Sequence, residues 1–478
     1  MFEFDNHYHH LMPNLPVELQ SIIVKCLSDP DDFHSLARVS RDLNFLAVRE
    51  LCSMYCLNLQ KGMLTFDAKT FRVVPTLAIS LYMFGASIEV LNCNLTDTQE
   101  QPELLKQTHS LRNFVSALSS VQRANFFFNN CGTVEWEDMI IAVCDVLVNR
   151  RCSDLQIKTL ARSTAHPGRS NKLAMLIQKL SAPVAGKREV PCSVRQSNNL
   201  ETCCLQTLPT FLQPILVLQL NASQLTTLTF CYIYNFSEWD DFMVNLDVPF
   251  LENFIISHCI IPGQAFSDFL SRHTRIVSLE YHHNTYLRHN PPVLPPGILP
   301  HLQRLHASSE YLVCYSPPLE SFPELVTVVL SADDMVRDSK RAVMALQALL
   351  PCINDITLCL EFPYVQCLDN WLHENLLRSA NANQFGEKDP IRSLSCVNSL
   401  TLDSKLVAYA SDGVASLLVN WLCMFPALTR VFITRPCLPL VFTRDNFEAF
   451  AKSVQRGSAS MRTISVQSED FSVWTWCC

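Results

Sequence analysis

The chain has 478 residues, of which 48% are hydrophobic and 17% are charged, and its formal net charge is −8. This length exceeds that of one ordinary core, so we expect several domains or one elongated repeat array. The apolar content excludes an intrinsically disordered chain, and the acidic balance gives no support to a nucleic-acid-binding protein.

The 21 cysteines are scattered along the chain, mostly beside apolar residues. They form no C-x-x-C pair and no zinc-site spacing with histidine, so we predict no metal site. Residues 1–10, which include His7, His9 and His10, are predicted to be a disordered tail. The first residues lack the pattern of a secretory signal, and no segment is apolar enough to span a membrane. These features predict reduced thiols, a cytoplasmic or nuclear location and no membrane partner.

Residues 11–58 are predicted to form three short amphipathic helices. Pro16 suits the first turn of the first helix, and Asp29-Pro30 ends it. One of the two aspartates that follow can cap the second helix, and Ser40 can cap the third. Apolar residues recur at helical spacing in all three, namely at Leu19, Ile22, Ile23, Cys26, Phe33, Leu36, Ala37, Leu43, Leu46 and Ala47. Helices this short bury little surface, so we expect a partner or a following domain to cover part of them.

Residues 11–58 resemble an F-box, in the Leu15-Pro16 opening, the apolar first helix and the Val39-Ser40 pair after the second helix. The resemblance implies docking on a Skp-type adaptor and, through it, on a cullin. Where many F-boxes have a tryptophan in the third helix, this chain has Asn44-Phe45. The alternative is an ordinary helical cap on the following domain. The residues that the resemblance places against the adaptor are Leu15, Pro16, Leu19, Ile22, Ile23, Leu27, Phe33, Leu36, Val39 and Ser40.

A repeat runs from residue 86 to residue 478, after a predicted helical connection at residues 59–85. Apolar residues recur at i, i+3 and i+5, and a helix-like stretch follows each group. From Leu200 to Ile353 the copies start 23 to 28 residues apart. This spacing predicts short strands whose i+3 and i+5 side chains point inward, with helices between them. The copies start at Ile88, Val121, Cys152, Leu200, Leu225, Leu251, Ile276, Leu302, Leu325, Ile353, Val397, Leu428 and Met461.

The predicted fold class is therefore α/β, with a small three-helix N-terminal module followed by an irregular repeat solenoid with a parallel sheet. The repeats resemble the leucine-rich-repeat region of F-box proteins, of the divergent kind abundant in basidiomycete fungi. A helical repeat solenoid is the alternative. Helices are predicted between strands at Ala265–His273, Lys340–Leu350, Gly413–Phe425 and Asn446–Arg456.

Two intervals in the array are longer than the rest, and we predict insertions near residues 162–196 and 364–392. The first is rich in arginine and lysine, which is typical of a solvated loop. The second includes a predicted helix around Trp371–Leu377. Each interval has room for one decayed repeat. At the end of the chain, Cys477-Cys478 is predicted to belong to a packed tail, because no basic segment supports lipid attachment.

The i+2 and i+4 positions of the repeat are predicted to be exposed and to bind a client protein. The alternative is that these residues only solvate the sheet. Arginine and large aromatic residues contribute most to such interfaces. The candidate client-binding residues are Arg304, His306, Arg430, Phe432 and Asp355.

No catalytic motif occurs, so we predict neither catalytic residues nor a cofactor. The resemblance implies a non-catalytic, substrate-recognition subunit of a Skp–cullin–F-box type ubiquitin ligase. Such a subunit raises the effective concentration of client lysines near a ubiquitin-loaded enzyme. The alternative is a repeat scaffold for protein–protein interaction that joins no ligase.

Overall fold

The chain divides into two compact units, Met1–Leu225 and Thr226–Cys478, each described by itself below. The computed structural model describes residues 15–57, 62–67, 69–80, 83, 85–95, 101–128, 137–159, 199–206, 212–233, 242–261, 263–282, 294–314, 319–331, 339–350, 352, 354–362, 365–385, 389–404, 413–434, 444–467 and 473–477. The predicted tail at residues 1–10 and the insertion near residues 162–196 lie outside the described residues.

The first unit begins with three helices, α1 (Val17–Lys25), α2 (Pro30–Ala37) and α3 (Arg41–Met54). Their caps differ in part from the sequence prediction. Asp29, and neither Asp31 nor Asp32, caps α2, because its Oδ1 accepts a hydrogen bond from the backbone N of Asp31 at 3.0 Å. Pro16 lies just before α1 and not in its first turn. Ser40 caps α3 as predicted, since its Oγ accepts a hydrogen bond from the backbone N of Leu43 at 3.2 Å.

The rest of the first unit alternates strands and helices. The strands are parallel, and each pairs with its neighbour in the chain. Residues 59–85 contain the strand β1 and not helix alone, because Leu64 and Phe66 alternate as buried residues beside β2. In chain order the elements are β1 (Met63–Phe66), a 3-10 helix (Thr70–Val73), α4 (Val74–Ala78), β2 (Ser87–Leu95), α5 (Gln101–Ala117), β3 (Ser120–Phe128), α6 (Glu137–Val148), β4 (Asp154–Thr159), β5 (Thr202–Gln206) and α7 (Gln213–Asn221).

The second unit continues the same alternation. Its described elements are β6 (Thr227–Cys231), β7 (Asn253–Ser257), α8 (Gly263–Arg272), β8 (Ser278–His282), β9 (Arg304–Ala307), α9 (Ser309–Cys314), a 3-10 helix (Leu319–Ser321), β10 (Thr327–Leu330), α10 (Ser339–Gln347), β11 (Ile356–Phe362), α11 (Val365–Phe385), a 3-10 helix (Ile391–Ser393), β12 (Val397–Ser404), α12 (Val414–Leu422), β13 (Arg430–Ile433), α13 (Arg444–Gly457), β14 (Thr463–Gln467) and β15 (Val473–Cys477).

The i+3 and i+5 residues of the repeat form the core of each unit, as the spacing predicted. In the second unit, Leu228 lies beside Phe254 on the next strand, and both are fully buried. The same register continues through Leu279, Leu305 and Val328. The observed fold therefore confirms the predicted α/β class, with a mostly parallel repeat arrangement that is compatible with a solenoid.

Three details of the second unit differ from the prediction. The helix predicted around Trp371–Leu377 is confirmed but is longer than expected: it lies within α11, which has 21 residues, and the described residues of the interval 364–392 contain no additional strand. The end of the chain adds β15, which pairs antiparallel with β14. Trp474 in β15 contacts Phe447, with ring centroids 6.2 Å apart. Cys477 is exposed, and Cys478 lies outside the described residues.

The third difference concerns the register of β11. Thr327 pairs with Thr357 and Val328 with Leu358, so the inward residues that match the other repeats are Leu358 and Leu360. The predicted copy that starts at Ile353 was therefore two residues too early. The error arose because apolar residues occupy every second position from Ile356 through Leu358 to Leu360. This pattern fits equally well whether Ile356 or Leu358 is taken as the i+3 residue of the repeat.

Candidate protein-binding surfaces

The first helix exposes a row of apolar side chains. Leu19 is 46% exposed, Ile22 57% and Ile23 47%. These positions follow the i, i+3, i+4 spacing of one helical face. Leu15 precedes them and is also exposed, and its carbonyl accepts a hydrogen bond from Nε2 of Gln20 at 2.8 Å. We call Leu15, Leu19, Ile22 and Ile23 the α1 surface.

The α1 surface is left exposed because the three helices have a small interior. Val24 of α1 is fully buried and belongs to that interior, together with Phe33 of α2 and Ala47 and Leu51 of α3. Val24 takes the place of α1 in that interior, and Leu19, Ile22 and Ile23 remain exposed. Exposed contiguous apolar residues of this kind are typical of an interaction site.

The other residues that the resemblance placed against an adaptor have mixed surroundings. Val39, in the turn between α2 and α3, is highly exposed, and Pro16 and Ser40 are exposed as well. Leu27 and Leu36 are half-buried. Phe33 is only 1% exposed, so its side chain stabilises the helical module and has no surface to offer to a partner.

Asn44 of α3 joins the helical module to the rest of the first unit. It is buried, and its Nδ2 donates hydrogen bonds to the carbonyl of Ala37 at 2.9 Å and to that of Ile79 at 3.1 Å. These two carbonyls lie at the end of α2 and just after α4. Asn44 therefore fixes α2 and α3 to the segment that leads into the repeats.

The second candidate surface is the face of the second unit's sheet that carries the i+2 and i+4 residues. Arg304, Thr327, Thr357, Ser399 and Arg430 lie side by side in one row. Arg304 and Arg430 are exposed, as predicted. A second row includes His306, Val329, Cys359, Thr401 and the half-buried Phe432.

Asp355 does not occupy either row. It is exposed but precedes β11, and the residue of β11 that lies in the row of Arg304 is Thr357. Its predicted place on the strand followed from the incorrect register of this repeat. Asp355 therefore belongs to the segment that leads into β11.

His306 lies in a buried charged cluster. Its Nδ1 is 3.8 Å from a carboxylate oxygen of Glu280, and its Nε2 is 3.5 Å from one of Glu361. Burial disfavours the charged imidazole, but the attraction of the two nearby carboxylates outweighs it, so the pKa of His306 is raised above its usual value. Arg304 adds a longer ion pair, with its Nε 3.9 Å from Glu280. His306 is thus an internal structural group, and Arg304 is the exposed one.

Two groups of residues on the described strands were not identified from the sequence. In the first unit, Asn125 donates a hydrogen bond to Asn92 at 2.7 Å, and Asn92 donates one to Thr65 at 3.0 Å. In the second, the rings of Tyr232 and His258 are stacked with centroids 4.6 Å apart. Both of these residues have a positive φ, and both follow the carboxyl end of a strand. Tyr232 and His258 each lie seven residues after the first apolar residue of their repeat. This shared position could have identified the pair from the sequence.

The described side chains include no group of three His, Cys, Asp or Glu residues arranged to hold a metal ion. In the same part of the chain, no helix has the length and apolar character needed to cross a bilayer.

The chain matches no protein-family model, and no curated protein is significantly similar to it.

Proposed function

We propose that this protein is a substrate-recognition subunit of a Skp–cullin–F-box type ubiquitin ligase, with residues 11–58 as the F-box. The observation that carries the proposal is the α1 surface, whose apolar side chains are exposed at the positions where the F-box resemblance places the adaptor. On this proposal the protein is not itself an enzyme and works in the cytoplasm or nucleus.

The energetics of the α1 surface suit a stable protein interface. Burying a leucine or isoleucine side chain is worth about 1.5–3 kcal/mol. Four such residues, together with the exposed Val39 of the same three-helix module, supply the apolar centre that interfaces of about 1,600 Å² contain. The charged residues Glu18 and Lys25 of α1 are also exposed, and ion pairs with them would help to orient a bound adaptor.

The second unit supplies the proposed client surface, with Arg304, Arg430 and Phe432 as its central residues. The mechanism is positional: binding an adaptor and a client on one chain raises the effective concentration of the client's lysines near the ubiquitin-loaded enzyme. His306 supports this surface by holding Glu280 and Glu361, and the chain itself carries out no chemical step.

The test is a binding measurement between the purified full chain and a recombinant Skp-type adaptor. Ile22→Asp places a charge in the centre of the α1 surface, and we expect it to weaken adaptor binding by 100-fold or more, ~3 kcal/mol, because the carboxylate would be buried without a partner. The matched control is Leu377→Asp, which adds the same charge at an exposed leucine of α11. This control should bind the adaptor normally.

Two outcomes would contradict the proposal. If Ile22→Asp binds as tightly as the unmodified chain, the α1 surface is not the docking site. If the unmodified chain does not bind the adaptor at all, the repeat scaffold that joins no ligase becomes the better interpretation. Circular dichroism of both variants shows whether each substitution leaves the fold intact.

A further inference from the structure

Two cysteines of the second unit lie around one backbone carbonyl. The Sγ of Cys396 donates a hydrogen bond to the carbonyl of Leu349 at 3.2 Å, and the backbone N of Cys352 donates one to the same oxygen at 3.0 Å. In addition, the side chains of Cys352 and Cys396 are hydrogen-bonded to each other. The two thiols are therefore direct neighbours although 43 residues separate them in the sequence.

The backbone on either side holds this arrangement in place. The backbone N of Ile356, the first residue of β11, donates a hydrogen bond to the carbonyl of Cys396 at 2.7 Å. Cys396 itself immediately precedes β12. The contact between the thiols is thus built into the start of two adjacent strands, where the chain has little freedom to separate them.

The electrostatic setting of this pair differs from that of the other buried thiols. The hydrogen bond from Cys352 lowers the pKa of Cys396, since it stabilises the thiolate. Burial instead raises the pKa of Cys52, Cys152 and Cys259 to about 12. A thiolate, and not a thiol, attacks an oxidised sulfur, so Cys396 is better suited than these other buried thiols to attack an oxidised neighbour.

Solvent reaches the two cysteines unequally. Cys352 is partly exposed, whereas Cys396 is buried. An oxidant from solvent therefore reaches the sulfur of Cys352 first, and the sulfur of Cys396 lies behind it, within reach of the oxidised product.

We propose that Cys352 and Cys396 are a redox-sensitive modification site that forms a reversible disulfide when a peroxide reaches Cys352. In the first step the Cys352 thiol loses its proton, its thiolate attacks one oxygen of hydrogen peroxide to form a sulfenic acid, and the hydroxide that leaves takes up that proton and becomes water. In the second step the Cys396 thiolate attacks that sulfur, forms the S–S bond and expels hydroxide, which takes up the proton of the Cys396 thiol and leaves as water. Two molecules of a thiol such as glutathione reverse the change and become its disulfide.

The disulfide would link the segment before β11 to the segment before β12. These strands carry Thr357 and Ser399, which lie between Arg304 and Arg430 in one row of the sheet. A covalent bond between Cys352 and Cys396 closes the loop between them. It reduces the conformational freedom of the unfolded chain and thereby stabilises the folded state. We therefore expect oxidation to stabilise the part of the second unit that lies between the two arginines.

The test uses the purified full chain, reduced, desalted and treated with hydrogen peroxide at sub-stoichiometric to equimolar amounts. Remaining thiols are alkylated, and cross-linked peptides are identified by mass spectrometry. Digestion at aspartate is needed besides trypsin, because Asp355 separates Cys352 from Cys359 in the sequence. We expect the Cys352–Cys396 linkage to form before any other intramolecular disulfide and to disappear after treatment with glutathione.

The chain contains a matched comparison in Cys152 and Cys203. Cys152 lies just before β4 and Cys203 lies in β5, the strand paired with β4, but both thiols are buried and burial raises both pKa values. They should remain unlinked under the same treatment. Cys352→Ser should abolish the proposed linkage and the rise in melting temperature that accompanies it. Because Cys352 is partly exposed, this variant is expected to fold.

The proposal is overturned if the linkage between Cys352 and Cys396 is absent when other cysteines of the same sample have been oxidised. It is also overturned if Cys152–Cys203 forms at the same rate, because random oxidation would then explain both. Neither result depends on whether the protein binds a Skp-type adaptor, so this inference stands apart from the proposed function.

Discussion

Arg304 and His306 lie two positions apart on β9 and point to the same side of the sheet, yet their surroundings differ. Arg304 is exposed and makes a long ion pair with Glu280. His306 is buried between Glu280 and Glu361, which come from β8 and β11. Two carboxylates at this depth need a positive partner, and a protonated imidazole provides one.

This arrangement predicts a pH dependence of stability. The pKa of His306 is raised in the folded protein, so its protonation stabilises the fold fully below its ordinary pKa of about 6.5. That contribution is lost as the pH rises through the raised value, so the free energy of unfolding should fall as the pH rises above about 6.5. Urea denaturation across this range measures the effect.

The matched variants are His306→Gln and His301→Gln, the second of which removes an exposed imidazole. His306→Gln should flatten the fall in stability above pH 6, whereas His301→Gln should keep it. A profile for His306→Gln that still matches that of the unmodified chain would show that another group causes the pH dependence.

The strand alternation was enough to place both side chains of β9 on the outer side of the sheet. It could not show that His306 is buried, because Glu361 comes from a strand two positions away in the sheet and 55 residues later in the chain. In the same way, the helical spacing identified Ile22 and Ile23 as one apolar face but also included Phe33. Periodicity alone does not separate the buried face of a short helix from an exposed apolar one.

At the scale of elements, regular apolar spacing predicted most of the strands and helices. The four helices predicted between strands of the second unit are α8, α10, α12 and α13, with ends that differ by a few residues. The sequence did not predict β1, because only two of its residues, Leu64 and Phe66, show the alternating apolar pattern of a strand. β15 was missed because antiparallel pairing at the end of an array breaks the strand–helix alternation that identified the other strands.

The contact between α12 and α13 depends on the absence of a side chain. Gly457 ends α13, and a methyl group added to its Cα would overlap the Sγ of Cys423, the residue that follows α12. We expect Gly457→Ala to lower the free energy of unfolding by about 1–3 kcal/mol, because the two helix ends would have to move apart. Thermal or urea denaturation measures this change.

The second variant of this pair is Gly457→Ala combined with Cys423→Ala. Removing the sulfur makes room for the new methyl group, so the double variant should recover part of the loss. If the two substitutions are additive, the overlap with Cys423 is not the cause of the destabilisation. If Gly457→Ala alone has no effect, the helix ends are less closely packed than the structure indicates.

At the scale of the whole molecule, the two candidate surfaces belong to different units. The α1 surface lies in the first unit, and the row from Arg304 to Arg430 lies in the second. An adaptor protein requires this separation, since it has to hold two partners at once without competition between them. The proposed function therefore implies that each surface can be inactivated without loss of the other.

Proximity labelling in cells, with and without inhibition of the proteasome, tests this separation. Ile22→Asp should abolish labelling of the Skp-type adaptor and the cullin but retain the client proteins, which should accumulate even without inhibition. Arg304→Glu with Arg430→Glu should do the reverse, because the charge of the client surface is inverted while α1 is unchanged. If both variants lose the same set of neighbours, the chain has one binding surface, and the division of roles between the two units is wrong.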